Sequence, residues 1–283
     1  MKFSVLRSGS SGNCTYIENK NTRVLLDAGL PSRKKIVGLL DEIGVDPESI
    51  DAVVCTHLHS DHLNKSTLSF CRTFSVSLWI HNENAPFFSS RFTGKCRCGV
   101  DLLCFDKEMF RVGDICFQPF GVIHDADGVT SGFRFYADGQ GNGAVGYAAD
   151  IGSVSEELIE ALSGVSVLCF EANHDPELLW KNQSRTYLHK RRVTGGKGHL
   201  SNHESGKAIA TLLGSSSPPS RVILCHLSED HNSPDLAKEQ VNQVLSENGL
   251  QLELITASRK ERTDFFDLSE GAVDTELEKQ VIW

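Results

Sequence analysis

Within six residues, His57-Leu58-His59-Ser60-Asp61-His62, the chain places four side chains that can bind a metal ion. That density points to a two-metal site. His57 and His59, two apart, can project to one side of an extended loop, while Asp61 and His62 turn toward a neighbouring point. The preceding run, Asp51-Ala52-Val53-Val54-Cys55-Thr56, is short, apolar and β-branched, and reads as a buried strand. The cluster therefore opens a loop at a strand end, a setting that separates it from solvated histidines on a surface.

The elements that must position these residues are legible from patterning. Short apolar strands are predicted at Lys2 to Arg7, Cys14 to Glu18 and Thr22 to Leu26, joined by Gly-rich turns. A helix follows from Pro31 to about Glu42, then the strand leading to His57, a helix after Asn64 and a strand near Val76 to Ile80. The stretch from Asn82 to Cys104 has no clear period. Strands return at Met109 to Val112, Ile115 to Gly121, Gly132 to Tyr136, Gly143 to Ala149, Val165 to Phe170, Arg221 to Cys225 and Leu250 to Ala257. Helices are predicted from Ser155 to Leu162, from His203 or Glu204 to Leu213, and from Pro234 to about Leu245. The Ser/Pro run Gly214 to Ser220 suits a surface loop, so one domain over residues 1–260 is the simpler organisation, followed by an acidic tail over 261–283.

Further reactive side chains follow other strands: Asp27, His124, His174, Asp150 and His226. Singly, each has an ordinary explanation: a turn-forming Asp before Gly29, a helix N-cap at Asp150, hydrogen-bonded loop histidines. Their joint recurrence at strand ends is what points to a site. Cys96-Arg97-Cys98 with Cys104 lacks a fourth ligand at a zinc-site spacing and reads as structural thiols, and Gly139 to Gly143 reads as a hairpin turn.

Composition sets the frame. The chain has 283 residues, 40% of them hydrophobic, enough for one large core or two modest ones. Nine cysteines without paired spacing, and a start with no apolar leader, suit a reduced, cytoplasmic protein. No apolar segment reaches membrane-spanning length, so no membrane role is expected. The net charge of −9 opposes a nucleic-acid partner at first, but the segment from Glu261 to Trp283 holds seven acids against Arg262 and Lys279, a net of −5. Between Leu178 and Asn202 there is no acid, whereas Lys181, Arg185, Lys190, Arg191, Arg192 and Lys197 make a local basic run ending near His199. Such a run is either a solvated surface or a track for a polyanion, and its position relative to the histidines decides which.

The order HxHxDH, His, Asp, His at successive strand ends resembles the metallo-β-lactamase superfamily over about Met1 to Lys260. That resemblance implies an α/β fold, a four-layer α/β/β/α sandwich with a dinuclear site at one edge of two sheets. It implies that His57, His59 and His124 hold one metal, that Asp61, His62 and His226 hold the second, and that Asp150 bridges them. Asp27 would orient the His-rich loop. Imidazole and carboxylate ligands suit two divalent ions, Zn²⁺ first and Mn²⁺ second. Intact His59, Asp61 and His62 imply a hydrolase using a bridging hydroxide, with Asp61 catalytic because its loss removes that hydroxide.

Four further segments, Ser8-Gly9-Ser10-Ser11-Gly12-Asn13, Glu171-Ala172-Asn173-His174-Asp175, Gly198-His199-Leu200-Ser201-Asn202 and His226-Leu227-Ser228-Glu229-Asp230-His231-Asn232, are similar to the YycJ/WalJ group. This implies a phosphodiesterase, above all a 5′-to-3′ DNA exonuclease, with small-molecule phosphodiesterases of the PhnP type nearby in the superfamily. His174 or His199 could then protonate the leaving oxygen or bind the scissile phosphate, the ordinary alternative for His199 being a helix cap. Thioester or lactone hydrolysis gives no reason for the basic run, and a metal-binding regulatory protein without turnover gives none for a complete ligand set. The interval from Asp150 to His226 leaves no room for the inserted domain with which many RNA-processing relatives clamp substrate.

Overall fold

Apolar residues run through the central strands of both halves of the chain and occupy both faces of them. Phe3, Val5, Ile17, Val24, Leu26 and Val54 face one way, toward Phe117, Phe133, Phe135, Tyr147, Cys169 and Ile223. Their sequence neighbours Leu6, Tyr16, Leu25 and Val53 face the other way, as do Ala148, Leu168, Phe170, Val222 and Leu224 in the second half. Strands buried on both faces must lie between a second sheet and a layer of helices.

A computed structural model describing residues 1–92, 99–139 and 143–268 has this arrangement. One sheet contains β1 (Lys2–Arg7), β2 (Cys14–Asn19), β3 (Thr22–Leu26), β4 (Ala52–Val54), β5 (Ser77–His81) and β6 (Leu102–Phe105), connected through α1 (Arg33–Asp41), α2 (Lys65–Phe74) and α3 (Ala85–Arg91). The other contains β7 (Phe110–Val112), β8 (Ile115–Val122), β9 (Thr130–Ala137), β10 (Val145–Ala148), β11 (Val167–Glu171), β12 (Arg221–Cys225) and β13 (Leu254–Thr256). Helices α4 (Glu156–Leu162), α5 (Pro176–Lys181), α6 (Tyr187–Thr194), α7 (Asn202–Leu213) and α8 (Pro234–Glu247) accompany the second sheet, and β14 (Phe266–Asp267) returns to pair with β1. The spatial orders are β14-β1-β2-β3-β4-β5-β6 and β13-β12-β11-β10-β9-β8-β7. The result is the expected four-layer α/β/β/α sandwich. No helix among the described residues is long and apolar enough to cross a membrane.

Local signals explain most boundaries. Ser32, Asn64, Ser155 and Ser233 cap α1, α2, α4 and α8 through their side chains. Ser201 caps α7 in a reciprocal box with Glu204, so α7 starts at Asn202, ahead of the expected His203 or Glu204, and His199 is not its cap. The first part of the expected tail belongs to the sheet: Val5 and Thr263 exchange hydrogen bonds, and Phe266 stacks on Phe3 at 5.0 Å. Cys96, Cys98, the centre of the Gly139 to Gly143 turn and the tail from residue 269 lie outside the described residues.

Candidate metal centre

The parallel strands β3 and β4 of one sheet, and β10, β11 and β12 of the other, deliver their carboxyl ends to one edge of the sandwich, where α/β sheets commonly bind ligands. Asp27 follows β3, Thr56 to His62 follow β4, and His124 follows β8. Asp150 follows β10, Glu171 ends β11 and His226 follows β12. Asp27, Asp150 and His226 have left-handed backbones (φ 60°, 59° and 54°), so the chain turns sharply at each of these strand ends.

Asp27 anchors the histidine loop. Buried completely, its carboxylate accepts hydrogen bonds from Thr56 N at 2.9 Å and Thr56 Oγ1 at 3.0 Å, and lies 2.7 Å from His62 Nδ1. Behind it, Ala28 N donates to His62 O at 3.1 Å and Asn13 N to Asp61 O at 2.8 Å. Gly29 is required here, since a Cβ would lie 2.0 Å from the Asp61 backbone. Asn13 Oδ1 accepts from Gly9 N at 2.8 Å, which turns its amide nitrogen toward His62 Nε2 at 2.9 Å. Asn13 thus belongs to the site; in sequence, the Gly/Ser turn around it accounts for it without that role.

The histidine rings are held in a common sense. The Nδ1 atoms of His62, His124, His226 and His57 lie at hydrogen-bond distance from Asp27, Gly198 O, Glu171 Oε1 and Thr56 Oγ1 respectively. With Nδ1 protonated toward those acceptors, each Nε2 presents a lone pair inward. His124 Nε2 stands 3.2 Å from His59 Nδ1, His226 Nε2 3.5 Å from Asp61 Oδ2, and His62 Nε2 2.9 Å from Asp150 Oδ2. His57 Nε2 and Asp150 Oδ2 are buried without a hydrogen bond; the short His62–Asp150 approach lacks the geometry of one. Acceptors converge, and the side-chain amide of Asn13 reaches one of them, His62 Nε2. The atoms of His57, His59 and His124, of His57, His62 and Asp150, and of Asp61, His62 and His226 each fall within 4.8 Å of one another. Such a set fits divalent cations, and all seven expected ligands are brought together.

Electrostatics divides the centre in two. Burial pushes His57, His59 and His124 below the usual imidazole range, which keeps them neutral. Burial opposes charge on His62 and His226 as well, but Asp27, Asp150 and Asp61 around His62, and Asp150, Asp61 and Glu171 around His226, raise both well above it. Asp150 and Asp61 are in turn held low, burial being outweighed by the neighbouring histidines. Protons on His62 and His226 and cations among the carboxylates are alternative ways to balance the same charge.

Glu171 joins this centre to its rim. Fully buried, its Oε1 lies 2.9 Å from both His199 Nδ1 and His226 Nδ1, and its Oε2 accepts from Ile151 N at 2.9 Å and Leu200 N at 3.1 Å. His199 and His226, despite Glu171's burial, hold its carboxyl down at about 2, and Glu171 and Asp150 raise His199. His199 lies 5.2 Å, ring to ring, from both His124 and His226. His174 is not among the converging groups: it is buried, its Nδ1 has no partner, and burial lowers it to about 4.

The basic run borders the site with unequal side chains. Lys181 pairs with Glu177 at 2.7 Å, and Arg185 with Asp230. Lys190 is turned inward, buried, its Nζ donating to Trp180 O at 2.7 Å, which takes it out of the expected phosphate track. Arg192 pairs with Asp125, the neighbour of His124. Arg191 and Lys197 are exposed. The run is tied to the centre where His199 N donates to Val193 O at 2.9 Å and Gly198 O meets His124 Nδ1 at 3.1 Å.

The fold and the strand-end site define a metallo-β-lactamase sandwich, and the chain belongs to that superfamily: residues 7–97 match the model of the metallo-beta-lactamase superfamily. Within it the chain is 34% identical to exodeoxyribonuclease WalJ of Streptococcus pneumoniae over 86% of its own length and 88% of the relative's. It is 30% identical to exodeoxyribonuclease YycJ of Bacillus anthracis over 88% and 90%. The metallo-β-lactamase fold protein YhfI from Bacillus subtilis superposes with a TM-score of 0.69 at 18% identity, covering 94% of this chain and 99% of that one.

Proposed function

We infer that this chain is a metal-dependent DNA exonuclease, with 5′-to-3′ polarity as the resemblance implies, working in the cytoplasm on two divalent ions, Zn²⁺ or Mn²⁺. The observation that carries the reading is the inward convergence of imidazole nitrogens and carboxylates, two of them buried without a hydrogen bond. Kinship with two exodeoxyribonucleases supports DNA as substrate, and the free thiols of the described cysteines suit a reducing compartment. His57, His59 and His124 would hold one ion, Asp61, His62 and His226 the other, and Asp150 would serve both. Two ions so held supply a water of lowered pKa and neutralise charge growing on the phosphoryl oxygens.

The protein's own groups do the rest. Asp27 and Asn13 fix the tautomer and direction of His62, and Glu171 does so for His226 and His199. His199, protonated and held by Glu171, gives a proton to the leaving oxygen of the scissile phosphodiester. Arg191 and Lys197, with Arg192 when it exchanges Asp125 for phosphate, steady the polyanion on the rim.

The test is hydrolysis of 5′-labelled duplex DNA, single-stranded DNA and a chromogenic phosphodiester, with Zn²⁺ or Mn²⁺ supplied. Stepwise release of nucleotides from a 5′ end, lost in His59→Ala and slowed with metals retained in His199→Ala, is expected. Turnover of the small ester alone would reassign the protein to small phosphodiesters. Inertness toward every phosphodiester with both metals bound would point to thioester or lactone chemistry, or to a role without turnover.

A further inference from the structure

Ten large apolar side chains are exposed among the described residues, and four of them, Leu178, Trp180, Tyr187 and Leu188, fall within eleven consecutive positions. Tyr187 and Leu188 are the most exposed of all, at 66% and 79%. Scattered apolar residues need no explanation, but a cluster does. This cluster is built. Lys190 reaches back from α6 to the carbonyl of Trp180 at 2.7 Å and stands 5.8 Å from the centre of its ring, fixing α5 against α6. The Tyr187 ring lies 6.0 Å from that of Trp180.

Charge and position narrow what can cover it. On α6, Tyr187 and Leu188 stand one helical turn before Arg191 and Arg192, so each exposed apolar side chain has a guanidinium on the same stripe. Arg192 contacts Asp125, whose carboxylate lies 3.5 Å from His124 Nε2, and Val193 carries the backbone of His199. The helix that carries the patch is thus tied to the metal centre through two contacts. A ligand lying across the patch must offer flat apolar faces beside regularly spaced negative charges, and must end at the metal-binding edge. Unpaired nucleotides do this: bases stack on aromatic rings while their phosphates meet cations, with little regard to sequence.

We propose that α5 and α6 form a stacking platform for unpaired bases of single-stranded DNA, with Tyr187 as the principal stacking residue and Arg191 as its phosphate partner. This rests on the nuclease reading and deepens it: the strand is presented unpaired beside the site. The proposal concerns binding and leaves phosphodiester hydrolysis itself to the metal centre.

The experiment measures equilibrium binding of full-length protein to a fluorescent oligothymidylate and to an abasic strand of equal length, which keeps the phosphates and lacks the bases. Chromogenic phosphodiester turnover is followed in parallel. Wild type should prefer the strand with bases by roughly tenfold, the scale of one stacked base. Tyr187→Ala should abolish that preference, Tyr187→Phe should retain it, and neither should change small-ester turnover. Equal affinity of wild type for the two strands overturns the proposal, as does an unchanged preference in Tyr187→Ala. So does binding to anionic phospholipid vesicles that Tyr187→Ala removes while the DNA preference stays, which would make the patch a membrane-facing surface. Inertness of metal-loaded wild type toward both DNA and the small ester speaks against the phosphodiesterase reading alone, because the base preference is read independently of it.

Discussion

Asp27→Asn isolates the charge that orients the histidine loop. Asparagine tolerates the left-handed backbone at this position, φ 60°, so the substitution keeps the turn and changes one oxygen to an amide nitrogen. That nitrogen then faces either His62 Nδ1, now 2.7 Å from Oδ2, or Thr56 N, now 2.9 Å from Oδ1. Either a buried donor loses its acceptor, which costs about 1–3 kcal/mol of stability, or His62 changes tautomer and protonates Nε2, the atom that points at Asp150. Both outcomes weaken the centre. Loss of a carboxylate behind a ligating histidine typically lowers metal affinity about 10–100-fold, or about 1.4–2.7 kcal/mol. Competition against a chromogenic chelator, with Zn²⁺ and separately Mn²⁺, reads the affinity, and urea unfolding of the chelated protein reads stability. Folded Asp27→Asn protein with metal affinity within twofold of wild type would refute the orienting role.

Asp150→Ala should lower occupancy by both metals, since its two oxygens face His62 and, at 3.5–3.7 Å, His226 and His124; elemental analysis of the purified variant checks this. Metal binding should release protons and weaken as pH falls. His62 and His226 are raised well above the ordinary imidazole value in the metal-free protein, so their bound protons must leave before Nε2 can ligate; calorimetric titration in buffers of different ionisation enthalpy counts them, and a count of zero would contradict the assignment. Replacing Arg191 and Lys197 together by Ala should reduce the slope of log affinity for DNA against log salt by one to two, with metal content unchanged, because these exposed cations are placed to meet phosphate.

Much of this architecture was legible because burial leaves a periodic trace. The strand before His57 and the alternating runs ending at Leu26, Ala148 and Cys225 are buried on both faces, and nothing but a layered sheet accommodates that. The ligand candidates were legible through their joint recurrence just past apolar strands, and the resemblance to the metallo-β-lactamase superfamily implied their roles. Glu171 was not, because a carboxylate closing an apolar strand shows its partners only when His199 and His226 arrive from 28 and 55 residues away. Asn13 hid inside a turn that needs Asn for its own sake. The basic run looked uniform in sequence, yet Lys190 turns inward while Arg191 stays in solvent. That is a difference of one position on a helix, and it is set by where Trp180 lies. The Asn82 to Cys104 stretch yielded α3 and β6 without a readable period, their apolar residues being split between short elements.

The most direct test of a dinuclear nuclease is titration of chelated protein with Mn²⁺ or Zn²⁺ while hydrolysis of 5′-labelled DNA is followed. Activity should be absent without metal, rise with added ion and level off near two equivalents per chain, with no recovery in Asp61→Ala. Full activity in excess chelator, or two tightly bound ions with intact DNA, would contradict it.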